Sequence, residues 1–457
     1  MKQLFLITIL CAVHALSGPT FENKSQPLDK KNNVMQAAQK IVSANDISGA
    51  TRLRVEGAAF RAFNFYFPAL EVAAGASLAQ QKQAQEIRDI IERDFLITGN
   101  ISLIKLPQEK NPTEALIKQK GAEGLSRIRL SFSKDKLNAE IRHKNLMTQK
   151  ISQVNISESS KEIRRFSHLI AQSIFEEFIG PENIFLTQIV AVKRYGNESQ
   201  IVLMDFDGKN EQKITTGSWK KTMPYFAPDG KKIFYTVITK QGQGIVEQEI
   251  GKKEFKFLTR NPGINIEPRV LPGDLGLLLT LSLNKADANI YRIDSNGKII
   301  GTFTESLGFN LSPVISPDKK MVAFVSSRSG TPQIYEKAIN LNDKKSEAKR
   351  MTFQGRYNQT PQYSPDGKYI AFTGRDENKV FDVFLLERSS GRISRVTENQ
   401  GRNQEPFFFP SGRFLVFSSE REGRTISDLY LAMPYGDHQF RLTTDGGYLS
   451  AVVRPKE

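Results

Sequence analysis

The side chains that could carry chemistry are few. Beyond the first residues the chain has three histidines, His143, His168 and His438, with none of the close spacing that metal ligands require. No metal site and no cofactor are expected. A serine nucleophile of the elbow type needs Gly-x-Ser-x-Gly, which does not occur. The stretch DFDGKN offers Asp205, Asp207 and Asn210 at the spacing of calcium ligands. It lacks the glutamate that closes a calcium loop, and it reads as a hairpin turn. Gly242 and Gly244 have no phosphate-loop context. Paired carboxylates for hydrolysis act through a spatial separation that the sequence does not encode, and no pair is singled out. No catalytic residue is assigned, and the chain is not expected to be an enzyme.

Recognition is the stronger reading, because the last part of the chain is built to present loops. A tight turn recurs as APDG (Ala227–Gly230), LPGD (Leu271–Asp274), SPDK (Ser316–Lys319), SPDG (Ser364–Gly367) and FPSG (Phe409–Gly412). Its prolines stand 44, 45, 48 and 45 residues apart. Proline presets the φ that the first turn position needs, and Asp and Gly tolerate the rest. Each turn is followed by an apolar strand such as KKIFYTV or KYIAFTG. A second mark is a threonine, at Thr215, Thr259, Thr304, Thr352, Thr397 and Thr443. A third is the turn before each threonine, at Gly208, Gly251, Gly297, Asn342-Asp343, Gly391 and Gly436. Three marks in one register, with about four strands per unit, are the signature of a β-propeller.

The count shows how the ring closes. Six threonine marks accompany five full turn motifs, so Leu186–Thr216 supplies later strands of a blade that lacks its first. Tyr448–Pro455 (YLSAVVRP) aligns with first strands and is expected to complete that blade. Loops entering each first strand share one rim: Arg260–Pro268, Glu305–Pro313, Phe353–Pro361 and Asn399–Pro406. Loops on a rigid scaffold are common binding surfaces.

The residues before the repeat mix strands and helices. Alternation in Leu53, Val55 and then Phe63, Phe65, Phe67 implies strands, as do Ser126–Phe132 and Leu137–Ile141. Ala79–Phe95 has helical spacing. Ser159 and Glu162 form a capping box ahead of Ile163, Phe166, Ile170, Ile174 and Phe178, and Gly180-Pro181 stops that helix. The fold expected is an α/β N-terminal domain followed by a six-bladed β-propeller closed by the C-terminal strand. The divisions are a signal peptide (1–17), a flexible polar arm (18–50) with a short helix around Val34–Val42, the α/β domain (51–185) and the propeller (186–457).

Export is read from Lys2, the apolar run Leu4–Val13 and the small residues that follow. Cys11, the single cysteine of the chain, lies inside this segment, so the mature chain relies on burial without disulfides. Sixty-four Lys and Arg against 49 Asp and Glu give a net charge of +15. The charge is spread out, without the dense basic patch and interleaved aromatics of a nucleic-acid surface.

In its order of parts the chain resembles the TolB family of the Tol-Pal system. The resemblance rests on the helix RRFSHLIAQSIFEEFIG leading into FLTQIVAVKR, on SPDGKYIAF in the repeat, and on the export signal ahead of both. It implies a periplasmic, monomeric, non-enzymatic scaffold that supports outer-membrane integrity and constriction at division. It also implies a Pal-like peptidoglycan-associated lipoprotein bound at a propeller rim, which makes the chain peripheral to the outer membrane, and a TolA-like inner-membrane protein as a second partner. Within the rim loops the residues expected to meet a partner are Asn265, Glu267, Arg356, Asn358, Asn403 and Glu405. Thr51–Gly57 (TRLRVEG), with Arg52, Arg54 and Glu56, resembles the family's N-terminal segment and suits strand addition. Residues 18–50 precede that segment, a departure from the family, and first strands such as EPRVLPGD lack its aromatic residue. The competing readings are an exported propeller hydrolase or lyase, with carboxylates clustered on the channel wall, and a sensor of small molecules or glycans.

Overall fold

A computed structural model describes residues 61–454 apart from 107–111, 274, 284–286, 307, 340–346, 376–379 and 437. The export signal, the polar arm, the segment with Arg52, Arg54 and Glu56, and the turn at Asn342-Asp343 lie outside the described residues.

The first unit is one mixed sheet under helices. Its elements are β1 (Phe63–Tyr66), β2 (Glu71–Val72), α1 (Leu78–Thr98), β3 (Ile101–Ile104), α2 (Glu114–Gln119), β4 (Gly124–Phe132), β5 (Lys136–Asn145), β6 (Ile151–Ser159) and α3 (Ile163–Phe178). Strand order is β3-β1-β4-β5-β6, with β2 beside β4. β1 is parallel to β3 and β4, whereas β4, β5 and β6 are antiparallel. Alternation decides which face is buried: Leu137, Ala139 and Ile141 of β5 point inward while Glu140 and Arg142 are exposed. Ile87, Ile91 and Phe95 of α1 and Phe166, Ile170 and Ile174 of α3 pack onto that face.

Helix α1 starts with a reciprocal cap between Ser77 and Gln80, and Gly99 ends it in the left-handed region at φ 67°. A Cβ on Gly99 would meet the His438 ring at 2.8 Å, so the stop residue is also a packing requirement. The capping box expected at Ser159 and Glu162 does not form. Glu162 is the N-cap without a side-chain bond, and Ser159 is the last residue of β6. Its hydroxyl accepts from the Lys161 amide at 3.4 Å. Strand pairing claimed the residue that local spacing assigned to the helix.

The repeat forms six blades of four antiparallel strands each; blades 3 to 6 are separate sheets, and blades 1 and 2 are joined by one parallel bridge between Ser199 and Lys220. Blade 1 consists of the C-terminal strand Tyr448–Val453, β7 (Gln188–Tyr195), β8 (Glu198–Asp205) and β9 (Gln212–Lys213), paired in that order. The blade is therefore split between the two ends of the ring, as the count of motifs requires. Blades 2 to 6 begin at Lys220, Asn265, Asn310, Tyr357 and Arg402.

The threonine mark has a physical cause. In five blades its hydroxyl accepts from the backbone amide of the third strand: Ile201, Ile290, Ile334, Val383 and Leu429, at 2.9–3.0 Å. The same hydroxyl donates to a polar side chain beside that amide, Gln200, Asn289, Gln333, Asp382 or Asp428. Blade 2 has Gly244 at this place, and the buried Thr259 hydroxyl has no partner. Thr352→Val should therefore cost about 1–3 kcal/mol in thermal or denaturant unfolding, and Thr259→Val should be near neutral. Equal losses at both positions would refute the account.

Three of the five glycines of the third mark, Gly208, Gly297 and Gly436, allow neighbouring blades to approach, whereas Gly251 and Gly391 face open space. A Cβ on Gly208 would stand 2.6 Å from the Leu442 carbonyl of blade 6, and one on Gly297 would stand 1.8 Å from the Leu258 carbonyl of blade 2. Both glycines also have positive φ, so the turn and the contact demand the same residue.

Candidate functional site

Strand direction sorts the loops of the ring onto two rims. First and second strands are joined by the proline turns, and third and fourth strands by the glycine turns, so these share one rim. Loops between second and third strands, and those entering each first strand, share the other.

The α/β unit sits on the rim of the turns, under blades 6 and 1. Arg413 in the proline turn of blade 6 pairs with Glu182 at 2.7 Å, and His438 in its glycine turn donates to the Ile97 carbonyl at 2.9 Å. The hydrophobic core is continuous across this junction, from Phe175 and Phe185 to Phe206, Phe409 and Phe414.

A buried charge network lies beside that core. Asp94 on α1, Arg164 and His168 on α3, and Asp205 and Asp207 in the glycine turn of blade 1 converge. Arg164 donates to both Asp207 oxygens at 2.8 and 2.9 Å and to Asp205 at 2.9 Å. His168 Nδ1 donates to Asp94 at 2.7 Å, and its Nε2 lies 3.8 Å from Asp205. Burial alone would push His168 down, but Asp205, Asp94 and Asp207 outweigh it and raise it to about 9. Burial pushes Asp94 up to about 6 against the pull of His168. Asp94, His168 and Asp207 have donor atoms within 4.8 Å of one another, a spacing that a metal could use. The Arg164 guanidinium fills the cationic position, and the arrangement is an ionic joint. DFDGKN is the hairpin turn the sequence suggests, with its aspartates turned to Arg164. His143, held by Ser126 at 2.7 Å and Ser173 at 3.2 Å, is buried and pushed down to about 4.

The channel is narrow. Each first strand carries a β-bulge, and at each bulge one non-glycine residue has positive φ: Met223, Glu267, Ser312, Thr360, Glu405 and Ser450. Bulges re-aim side chains, and these six line a channel cavity of about 70 Å³. Ser312 donates to Glu267, and Ser450 donates to Glu405, both at 2.9 Å. The two glutamates belong to blades 3 and 6, with two blades between them either way round the ring.

The residues expected on the rim therefore divide. Asn265, Asn358 and Asn403 are fully buried, so they cannot form a partner-facing surface. Asn358 donates to Gln333 of the preceding blade at 2.8 Å, and Asn403 donates to Asp382 at 2.9 Å. Asn265 ties its own entry loop, donating to the Asn261 carbonyl at 2.6 Å. Glu267 and Glu405 face the channel, and Arg356 alone of the six is exposed on the outer rim. The asparagines recur at one place in the repeat, together with Asn310, Lys221 and Tyr448. That recurrence was the signal that they belong to the scaffold. The joint of Asp94 and His168 had no such signal, because its members come from separate elements.

Residues 175–383 match the family model described as the TolB beta propeller domain. Tol-Pal system protein TolB of Francisella tularensis subsp. tularensis (strain WY96-3418) is 27% identical over 319 residues, 65% of this chain and 69% of that protein. The protein of the same description from subsp. mediasiatica (strain FSC147) matches to the same extent. The crystal structure of TolB from Acinetobacter baumannii superposes with a TM-score of 0.75 at 21% identity, covering 87% of this chain and 97% of that one. With the repeat, the split blade and the preceding α/β unit in place, the chain carries a match to the TolB beta propeller domain over residues 175–383 and shares the fold of the Acinetobacter baumannii TolB structure.

Proposed function

We propose that this chain is a periplasmic, non-enzymatic scaffold of the Tol-Pal system that binds a Pal-like peptidoglycan-associated lipoprotein on its outer rim. Its relatives are described as Tol-Pal system proteins. The observation that carries the reading is that, among the described residues, the α/β unit lies against one rim of the ring and the loops of the opposite rim carry no such cover. Arg356 is one contact on that rim. In this reading the N-terminal segment with Arg52, Arg54 and Glu56 engages a TolA-like inner-membrane protein, and the two contacts support outer-membrane integrity and constriction at division. No helix among the described residues is long and apolar enough to cross a membrane, in keeping with attachment through a partner.

The hydrolase reading requires a carboxylate cluster facing a substrate-sized space. A channel cavity of about 70 Å³, with Glu267 and Glu405 each held by a serine, gives it no support. The mature chain immobilised on a resin should retain an OmpA-like lipoprotein from envelope extracts. Recovery of none would overturn the proposal.

A further inference from the structure

The outer rim over blades 4 to 6 carries five arginines that, among the described residues, form no direct ion pair, although Glu420 lies across from Arg402 and Asp382 and Glu422 act on Arg421 from farther away. Arg328 follows the second strand of blade 4, Arg356 lies in the loop entering blade 5, Arg375 ends the second strand of blade 5, Arg402 opens blade 6, and Arg421 follows its second strand. Among the described residues none of the five is ion-paired with a carboxylate, although Arg388, Arg395, Arg424 and Arg441 nearby in sequence all are. They are held by rings and neutral groups instead. Arg421 lies 3.9 Å from the centre of the Tyr430 ring, and Arg328 lies 4.9 Å from that of Tyr335. Arg375 and Arg402 flank one ring, Phe381, at 5.7 and 5.1 Å. Arg328 donates to Ser326 and Asn310, and Arg421 to Ser419. Stacking fixes the guanidinium planes without cancelling their charge.

Phe353, 72% exposed, lies in the same loop as Arg356, with the Arg350 guanidinium 4.9 Å from the centre of its ring. An exposed aromatic on a rim that also carries several arginines matches the composition of interface hot spots. Burial pushes the guanidiniums of Arg328 and Arg421 down, which marks them as partly desolvated before any partner arrives. Such groups gain most from a carboxylate brought to them, because part of the desolvation has already occurred.

We infer that the rim arc of Arg328, Phe353, Arg356, Arg375, Arg402 and Arg421 docks a folded protein through a carboxylate-rich face into which Phe353 inserts. This rests on the proposed function and specifies the chemistry of the partner surface. It takes charge complementarity as the selecting principle, with steering at long range and paired guanidiniums at contact.

The test uses the full mature chain and the soluble domain of the Pal-like lipoprotein from the same organism, measured by titration calorimetry at several salt concentrations. Arg356→Gln and Phe353→Ser alter exposed side chains and should leave the melting temperature unchanged. Each should weaken binding, by about three- to tenfold for Arg356→Gln and about tenfold or more for Phe353→Ser. Wild-type affinity should fall as salt rises, less steeply in Arg356→Gln. Lysines 252 and 253, on the opposite rim, provide a control that should change nothing. Binding that ignores salt and survives both substitutions overturns this inference and leaves the proposed function standing. No binding by the wild type overturns both. Arg356-dependent binding to phosphatidylglycerol vesicles without binding to the lipoprotein domain also overturns it.

Discussion

Removal of residues 448–457 is expected to unlatch the whole ring. The strand Tyr448–Val453 pairs with Gln188–Tyr195 and joins the two ends of the propeller. Tyr448, Ala451, Val452 and Val453 are buried, and Ala451 and Val453 lie in the core shared by the α/β unit and blades 6 and 1. At about 1.5–3 kcal/mol for each large apolar side chain, the strand contributes on the order of 6 kcal/mol through burial. That is comparable to the whole net stability of an ordinary domain, about 5–15 kcal/mol. The Tyr448 hydroxyl accepts from Lys193 and donates to Glu211, both at 2.5 Å, so the strand also brings one of the partners of a buried lysine. Its loss would leave β7 as an open edge able to pair with other chains. The truncated chain should lose its cooperative melting transition or aggregate. A full-length control with Arg454→Gln, which removes contacts to Gly230 and Gln188, should still melt cooperatively. A truncated chain that melts within a few degrees of wild type would show that the ring does not depend on this closure.

The ionic joint should make the fold sensitive to alkali. His168 is raised to about 9 in the folded state from 6.5 in the unfolded chain. The folded state therefore holds this proton more tightly. The contribution is complete below pH 6.5 and disappears as pH rises through about 9. A shift of this size corresponds to about 3 kcal/mol. Asp94 acts in the same sense over a lower window, from 3.8 to about 6. The groups facing the imidazole are Asp94, Asp205, Asp207 and Arg164, with Arg93 3.6 Å from Asp207 on its other side. Denaturant unfolding from pH 6.5 to 9.5 should show stability falling with pH, and His168→Gln should flatten that slope. Asp207→Ala should cost about 3 kcal/mol at pH 7, because it leaves Arg164 part-buried beside Asp205 alone. A wild-type stability that rises over this window would overturn the assignment of a charged His168.

How much of this was legible in the sequence depends on the range of the interaction. The helical spacing of Ile87, Ile90, Ile91 and Phe95 located α1, and its boundary cap at Ser77 and Gln80 went unread. The cap expected at Ser159 failed because β6 pairs through that residue. Asn265, Asn358 and Asn403 read as polar loop residues and proved to be buried ties within and between blades. In a single repeat an asparagine at the mouth of a strand looks like turn chemistry. Only a neighbouring blade supplies Gln333 or Asp382 to bond it.

The repeat is where sequence alone was decisive. Proline turns and threonine latches satisfy backbone groups within one blade, so their chemistry is local and their period is visible. Six units, one of them split and completed from Tyr448 onward, follow from counting them. Tertiary structure decided what lies between units. It determined which rim the α/β unit covers, where Arg164 meets Asp205 and Asp207, and which arginines, among the described residues, form no direct ion pair. Those outcomes depend on distances between residues remote in the chain. Burial and charge pairing are properties of a neighbourhood, and the neighbourhood exists only once the ring has closed.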